Sequence, residues 1–226
     1  MAERRAMALE PQTHEHLLAH HRDFKAFAQT MIETHAGRFD PVFWAFVGKH
    51  APENVGRIVD LGTGPGLLLK DLADRYPNAA IIGVDGQPEM LSLAEKNAAG
   101  DDRLSVMAHD LGGEGRMAID DASVDLAIAS VVVHELQVPT RMLDEAARIL
   151  RPGGTLVIYD WVRQSLESYA GGERPTTLDQ FTHFSEHCRY TPDDLAWLIS
   201  TSGFEVTEHM ARKNGRFLLL AATRSP

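Results

Sequence analysis

One cysteine, Cys188, stands in the 226 residues of this chain. A single thiol excludes an intrachain disulfide and makes a reducing cytoplasm the simplest home. No stretch approaches the roughly 18 apolar residues of a membrane span, so no membrane partner is expected. The opening Met-Ala-Glu-Arg-Arg-Ala-Met-Ala-Leu-Glu lacks the apolar core of a secretion signal. Internal repeats, low-complexity tracts and runs of lysine and arginine are absent too. With 22 basic against 32 acidic residues the formal net charge is −10, which repels phosphate backbones and argues against a nucleic-acid partner. What is there is ordinary: 44% hydrophobic and 24% charged residues, as in a soluble globular protein. The length suits one large α/β domain with appendages.

The informative stretch runs from Ile58 to Asp85. Arg57 to Leu61 is a short apolar run ending at Gly62-Thr63-Gly64-Pro65-Gly66. Leu67 to Tyr76 reads as a helix with an apolar stripe at Leu68, Leu69 and Leu72, and Ala80 to Val84 as a second buried strand closed by Asp85. A strand running into glycines and then a helix offers backbone N–H groups and a helix N-terminus to a ligand. Asp85, 19 positions beyond Gly66, can accept hydrogen bonds from two ribose hydroxyls. The plain alternative is a tight turn with no ligand. The glycine spacing is G-x-G-x-G rather than the dinucleotide G-x-G-x-x-G, and Pro65 removes a backbone donor. Asp60, at the strand end, disfavours a pyrophosphate and favours a cation such as an α-ammonium or a sulfonium.

Val-Asp-Leu-Gly-Thr-Gly-Pro-Gly followed by Gly-Val-Asp resembles the first two motifs of class I S-adenosylmethionine-dependent methyltransferases. Asp125 to Asp160, with its Leu-Arg-Pro-Gly-Gly turn, resembles the later half of the same pattern. The likeness covers about Arg57 to Asp160 well and the rest in outline. It implies a Rossmann-like α/β fold: a seven-stranded, mostly parallel sheet in the order 3-2-1-4-5-7-6, last strand antiparallel, helices on both faces. It implies S-adenosylmethionine as cofactor, held by Asp60, Gly62, Thr63, Gly64, Gly66, Asp85, Gly86, Met90, Asp110, Leu111 and Ser130. In such proteins the acidic residue at the Asp110 position faces the adenine amino group. Gly112-Gly113-Glu114-Gly115, beside it, reads as a flexible loop.

Along the chain, Gln12 to Thr34 has a helical pattern and Phe39 to Lys49 a second, aromatic helix entered at Asp40-Pro41. Residues 1–50 are read as an N-terminal helical cap and 51–226 as the cofactor-binding domain, with a lid-like insertion at about 161–190. That insertion shows no clear periodicity. Phe43, Trp44, Phe181 and Phe184 are expected to wall an acceptor pocket beneath cap and insertion.

Methyl transfer needs the nucleophile aligned and water excluded; a base is needed only if the nucleophile carries a proton. His134, just past the central strand, is the best-placed base, with Glu135 or Asp160 to orient it; a helix-capping or cofactor contact is the plainer role. Tyr159 and Asp160 end the next strand and could bond a substrate or merely close a turn. His183 and His187 stand at i and i+4 beside Cys188 with no third spaced metal ligand, so no metal is expected; a solvated or pocket-lining pair is the plainer reading, and His183 is kept as a further catalytic candidate. His14, His16, His20 and His21 look like a wet helix face. The signature of base-methylating enzymes and the cysteine cluster of arsenic methylation are both absent. The expected function is transfer of a methyl group to the O, N or S of a small molecule, with a homodimer left open. The alternatives are a nicotinamide-dependent oxidoreductase and a non-catalytic cofactor-binding regulator.

Overall fold

A computed structural model describes residues 9–21, 23–168 and 174–226; the side chains at 12, 14, 16, 19, 20, 183 and 187 lie outside that description. The chain begins with three helices, α1 (Pro11–His20), α2 (Phe24–Arg38) and α3 (Pro41–His50). The continuous helix expected over Gln12 to Thr34 is therefore two. Asp23 is the reason: its carboxylate accepts the backbone N–H groups of Lys25 and Ala26, capping a new helix instead of continuing the old one.

Alternating strands and helices follow: β1 (Arg57–Leu61), α4 (Leu67–Arg75), β2 (Ala80–Asp85), α5 (Pro88–Ala98), β3 (Leu104–Ala108), β4 (Val124–Ser130), α6 (Pro139–Ile149) and β5 (Leu150–Trp161). After the insertion come α7 (Leu178–His187), α8 (Pro192–Thr201), β6 (Phe204–Arg212) and β7 (Phe217–Arg224). The sheet order is β3-β2-β1-β4-β5-β7-β6, as expected. All pairings are parallel except those of β7, which runs antiparallel to both β5 and β6. The order reverses between β1 and β4, and the carboxyl ends of those strands open the crevice where ligands bind in such sheets.

Strand alternation divides the core in two. Val59, Ala127, Leu156 and Ile158 pack with α6 and α8 on one face. Ile58, Leu126, Val157 and Tyr159 pack with α3 and α4 on the other. Phe43 and Trp44 belong to that second layer, 1% and 9% exposed. They face the sheet, so they are not the pocket walls expected of them.

Two loops differ from expectation. Gly112 and Gly113 are buried and fold back on Asp110, whose carboxylate accepts the Gly112 N–H at 3.0 Å. The insertion contains α7, capped by Thr177, whose hydroxyl accepts the Gln180 N–H. Its sparse apolar face hid it: Leu178 and Phe181 are exposed. His183 lies within α7, but its side chain is outside the described residues.

Candidate active site

The glycine loop is built around backbone conformations a side chain resists. Gly62, Gly64 and Gly66 have φ of +75°, +54° and +77°. A Cβ on Gly66 would lie 2.7 Å from Cα of Ala94, so this glycine lets α4 lie against α5. The loop closes on Asp85, which accepts the N–H of Gly64 at 2.9 Å and of Gln87 at 2.8 Å. Burial raises the Asp85 pKa, against the pull of these backbone donors. At the end of β1, Asp60 is 2% exposed and its carboxylate accepts the Thr63 hydroxyl at 2.7 Å. Burial, outweighing that bond, pushes the Asp60 pKa up to about 7, and the nearby Asp85 charge adds to the rise.

Two adjoining cavities share the loop. The first, of about 700 Å³ counted out to its open mouth, is lined by Gly62, Gly64, Asp85, Gly86, Met90, Asp110 and Leu111. The second, about 320 Å³, is lined by Asp60, Gly62, Thr63 and Ser130, with Arg38 and His35 of α2. Ten of the eleven residues expected to hold a cofactor thus line one cavity or the other. Gly66 lines neither and serves packing instead.

The cap expected to roof the crevice does so through residues the sequence did not single out. Leu9, Thr13, Leu17, His21, Phe24, Phe27 and Met31 close the first cavity from above. The space a Cβ on Gly86 would take is filled by Leu9, and on Gly64 by Met31. The roof is tied down by the Glu10 N–H, which Asp110 accepts at 2.9 Å, and by His21, whose Nε2 lies 2.8 Å from Glu135 Oε1. His21 is therefore no wet surface residue: its ring stacks on Phe27 with centroids 3.7 Å apart. A partner 114 positions away left no local signal.

The candidate catalytic residues are drawn apart. Tyr159 and Asp160, neighbours on β5, point to opposite faces. Tyr159 is buried in the core, stacked on Phe217, and lines neither cavity. Asp160 meets His134, Nδ1 to Oδ1 2.6 Å, while His134 Nε2 lies 3.1 Å from Glu135 Oε1. Burial pulls the His134 pKa down, but these two carboxylates outweigh it and lift the value to about 9. A carboxylate facing each ring nitrogen favours the protonated ring over one with a free lone pair, and His134 lines neither cavity. Geometry runs against the general-base role. Among the described residues no group of three His, Cys, Asp or Glu could hold a metal.

Residues 59–158 match the family described as "Methyltransferase domain". An uncharacterized methyltransferase of Mycobacterium tuberculosis is 30% identical over 174 residues, covering 69% of this chain and 68% of that protein. The chain belongs to the class I S-adenosylmethionine-dependent methyltransferases. An arsenite methyltransferase of Halobacterium salinarum is 33% identical over 152 residues, 67% of this chain. The methyltransferase described here spans only 38% of that relative's length. The crystal structure of a SAM-dependent methyltransferase from Aquifex aeolicus shares the fold, with a TM-score of 0.69 at 20% identity over 89% of this chain and 98% of that one.

The site fits the family's cofactor on its own evidence of unmet polarity. Both polar atoms of the Gln87 side chain, and the Ser130 hydroxyl, are buried without a hydrogen-bond partner among the described residues. Gln87 lines the first cavity and Ser130 the second. Such orphaned groups cost about 1–3 kcal/mol each unless a ligand answers them.

Proposed function

We propose that this methyltransferase transfers a methyl group from S-adenosylmethionine to a small molecule bound under the roof of α1 and α2. The observation that carries the reading is the pairing of the glycine loop and Asp85 with orphaned polar groups beneath a tight roof. Asp85 would accept the ribose hydroxyls; Met90 and Leu111 would flank the adenine, with Asp110 and Gln87 at its polar edge. Asp60 would face the cationic end of the ligand. When bound, S-adenosylmethionine supplies a methyl group on a sulfonium, ready for one-step displacement.

The chain's own part is alignment and exclusion of water. Leu17, Phe24, Phe27, Val132 and Leu136 give the first cavity apolar and aromatic walls, which suits an acceptor with a flat apolar body. Because His134 is held as a cation, a nucleophile that already has a free electron pair at working pH, such as a thiolate, carboxylate or amine, fits best. Arsenite, the acceptor in one relative's name, fits less well, since Cys188 leaves no cluster of thiolates to capture it. The net charge of −10 supports a partner other than nucleic acid. No helix among the described residues is long and apolar enough to cross a membrane. A cytoplasmic home and a homodimer remain part of the proposal.

The test is a panel of small thiols, carboxylic acids, amines and phenols, followed by release of S-adenosylhomocysteine. Turnover with one of them supports the reading. Tight cofactor binding with no turnover on any acceptor would instead make the protein a cofactor-binding regulator.

A further inference from the structure

Among the described residues, the titratable side chains that line the first cavity are Asp85, Asp110, Glu135 and His21. Asp85 and Asp110 belong to the proposed cofactor contacts, and each also accepts backbone N–H groups. Glu135 stands between two imidazoles: its Oε1 lies 2.8 Å from His21 Nε2 and 3.1 Å from His134 Nε2. Burial opposes its charge, but these two rings outweigh burial and hold its pKa well below the usual carboxylate range. A carboxylate so stabilised is a poor proton acceptor. His21 is the remaining group of that wall with the chemistry to take up a proton near neutrality.

The fold holds this imidazole in one orientation. Its side chain is 11% exposed, and its ring lies on Phe27 with centroids 3.7 Å apart and planes 15° from parallel. The stack fixes the plane of the ring, and Glu135 fixes its rotation within that plane. A carboxylate can only accept, so the Nε2 that faces it carries hydrogen, and the neutral ring keeps its lone pair on Nδ1. Behind Glu135 stands the His134–Asp160 pair, so carboxylate and imidazole alternate from Asp160 through His134 and Glu135 to His21. An imidazolium formed at His21 is stabilised by the Glu135 charge beside it. A base held by a third group in this way is the usual architecture of proton abstraction.

We propose that His21 is the general base of the methyl transfer, taking the proton of an acceptor that reaches the site protonated, with Glu135 as its positioning residue. This role rests on the methyltransferase reading above and narrows its substrate class. Amines and aliphatic thiols suit the cavity as nucleophiles, yet near neutrality they are mostly ammonium and thiol. His21 supplies the base that His134 does not. The acceptor's N–H or S–H bond gives its proton to His21 and leaves its electron pair on nitrogen or sulfur. That pair bonds the methyl carbon while the bond from methyl to sulfonium breaks, its electrons staying on the departing sulfur of S-adenosylhomocysteine. The proton passes from His21 to solvent before the next turnover. Phe27 and the His21 ring stacked on it give the acceptor's flat body a wall beside the reacting atom.

The test uses two pairs of acceptors, the members of each pair sharing one aromatic ring. Thiophenol and aniline carry an available electron pair near neutrality, whereas phenylmethanethiol and benzylamine arrive as thiol and ammonium. Release of S-adenosylhomocysteine is followed for all four. Wild type should methylate the protonated member of at least one pair. His21→Gln should slow that member by about 10²- to 10⁴-fold more than its partner, in kcat rather than KM. Glu135→Gln should shift the same ratio by less, and imidazole added to His21→Ala should restore part of the rate on the protonated member. Retained S-adenosylhomocysteine binding shows that a variant is folded; if the His21 variants lose it, the ratio in Glu135→Gln carries the test. Equal losses on both members of a pair, with no rescue by imidazole, would make His21 a tie for the roof and overturn the proposal. Wild-type turnover on thiophenol or aniline alone would overturn it too, as would turnover on neither pair while other acceptors react. If wild type methylated no acceptor at all, the methyl-transfer reading itself would fall, and this role with it.

Discussion

His134 and Asp160 meet at 2.6 Å across the ends of β4 and β5, with side chains 3% and 1% exposed. The other oxygen of Asp160 accepts the N–H groups of Val132 and Val133, at 3.2 and 2.6 Å. The pair therefore fixes the turn after β4, where Val131 takes a left-handed φ of +56° beside the cofactor cavity. Its role is to hold a strained wall in place.

This arrangement links stability to pH. The His134 pKa rises from 6.5 to about 9 on folding. The stabilisation is fully present below pH 6.5 and is lost as pH rises through 9, worth about 3 kcal/mol as an order of magnitude. Thermal unfolding should show Tm falling across that window, and His134→Gln should lower Tm at pH 6 and flatten the profile. A wild-type Tm that holds steady from pH 6 to 9 would refute the cationic assignment.

Cofactor affinity should also follow pH, through Asp60. Its pKa of about 7 means that it is partly protonated at neutrality, while an ammonium ligand requires the carboxylate. S-adenosylhomocysteine should bind more tightly as pH rises from 5.5 to 7.5, by up to about tenfold per unit below 7. Asp60→Asn should bind weakly throughout and lose that slope. A slope equally steep in Asp60→Asn would assign the titration to another group.

Gly66 should tolerate no side chain. Alanine there must adopt φ of +77° and place its Cβ 2.8 Å from that of Ala94. Strain and overpacking together should cost about 2–5 kcal/mol, a fall in Tm of about 5–15 °C for a chain of this size. Gly100→Ala is the control: it shares the left-handed φ, but nothing lies within 4 Å of the added carbon. Equal losses at both positions would show that the α4–α5 contact contributes nothing.

The roof should open and close with ligand. Lys25 is exposed on α2, near the break after His21. A ligand filling the cavity gains contacts with Leu17, Phe27 and Met31 only when the roof is down. Saturating S-adenosylhomocysteine at about 100 times its Kd should slow tryptic cleavage at Lys25 by up to about 100-fold. Glu135→Gln, which weakens the tie to His21, should speed cleavage without ligand. Cleavage indifferent to ligand would detach α1 and α2 from the cofactor.

The sheet and the glycine loop were legible because their signals are contiguous: apolar runs of strand length, glycines, and Asp85 at the next strand's tip. The roof's contacts were not. His21 and Glu135 lie far apart in sequence, and nothing local marks them as partners. Arg38 reads as an ordinary basic residue in a helix's last turn, favourable there on dipole grounds alone; only the fold shows it partly buried in a cavity wall, with no carboxylate partner among the described residues. Tyr159 and Asp160 were legible in part. Alternation says that one of the two must turn away from the crevice, but the packing of α3 decides which. His134 was placed correctly beside Asp160 and Glu135, yet two carboxylates around one imidazole make a cation rather than a base.

The cofactor site is tested most directly by one calorimetric comparison: S-adenosylhomocysteine and NAD titrated into wild type and Asp85→Ala. S-adenosylhomocysteine should bind wild type and weaken by about 10- to 100-fold in Asp85→Ala, as loss of a carboxylate accepting ribose hydroxyls requires, and NAD should not bind. Tight NAD binding, or S-adenosylhomocysteine binding indifferent to Asp85, would contradict it.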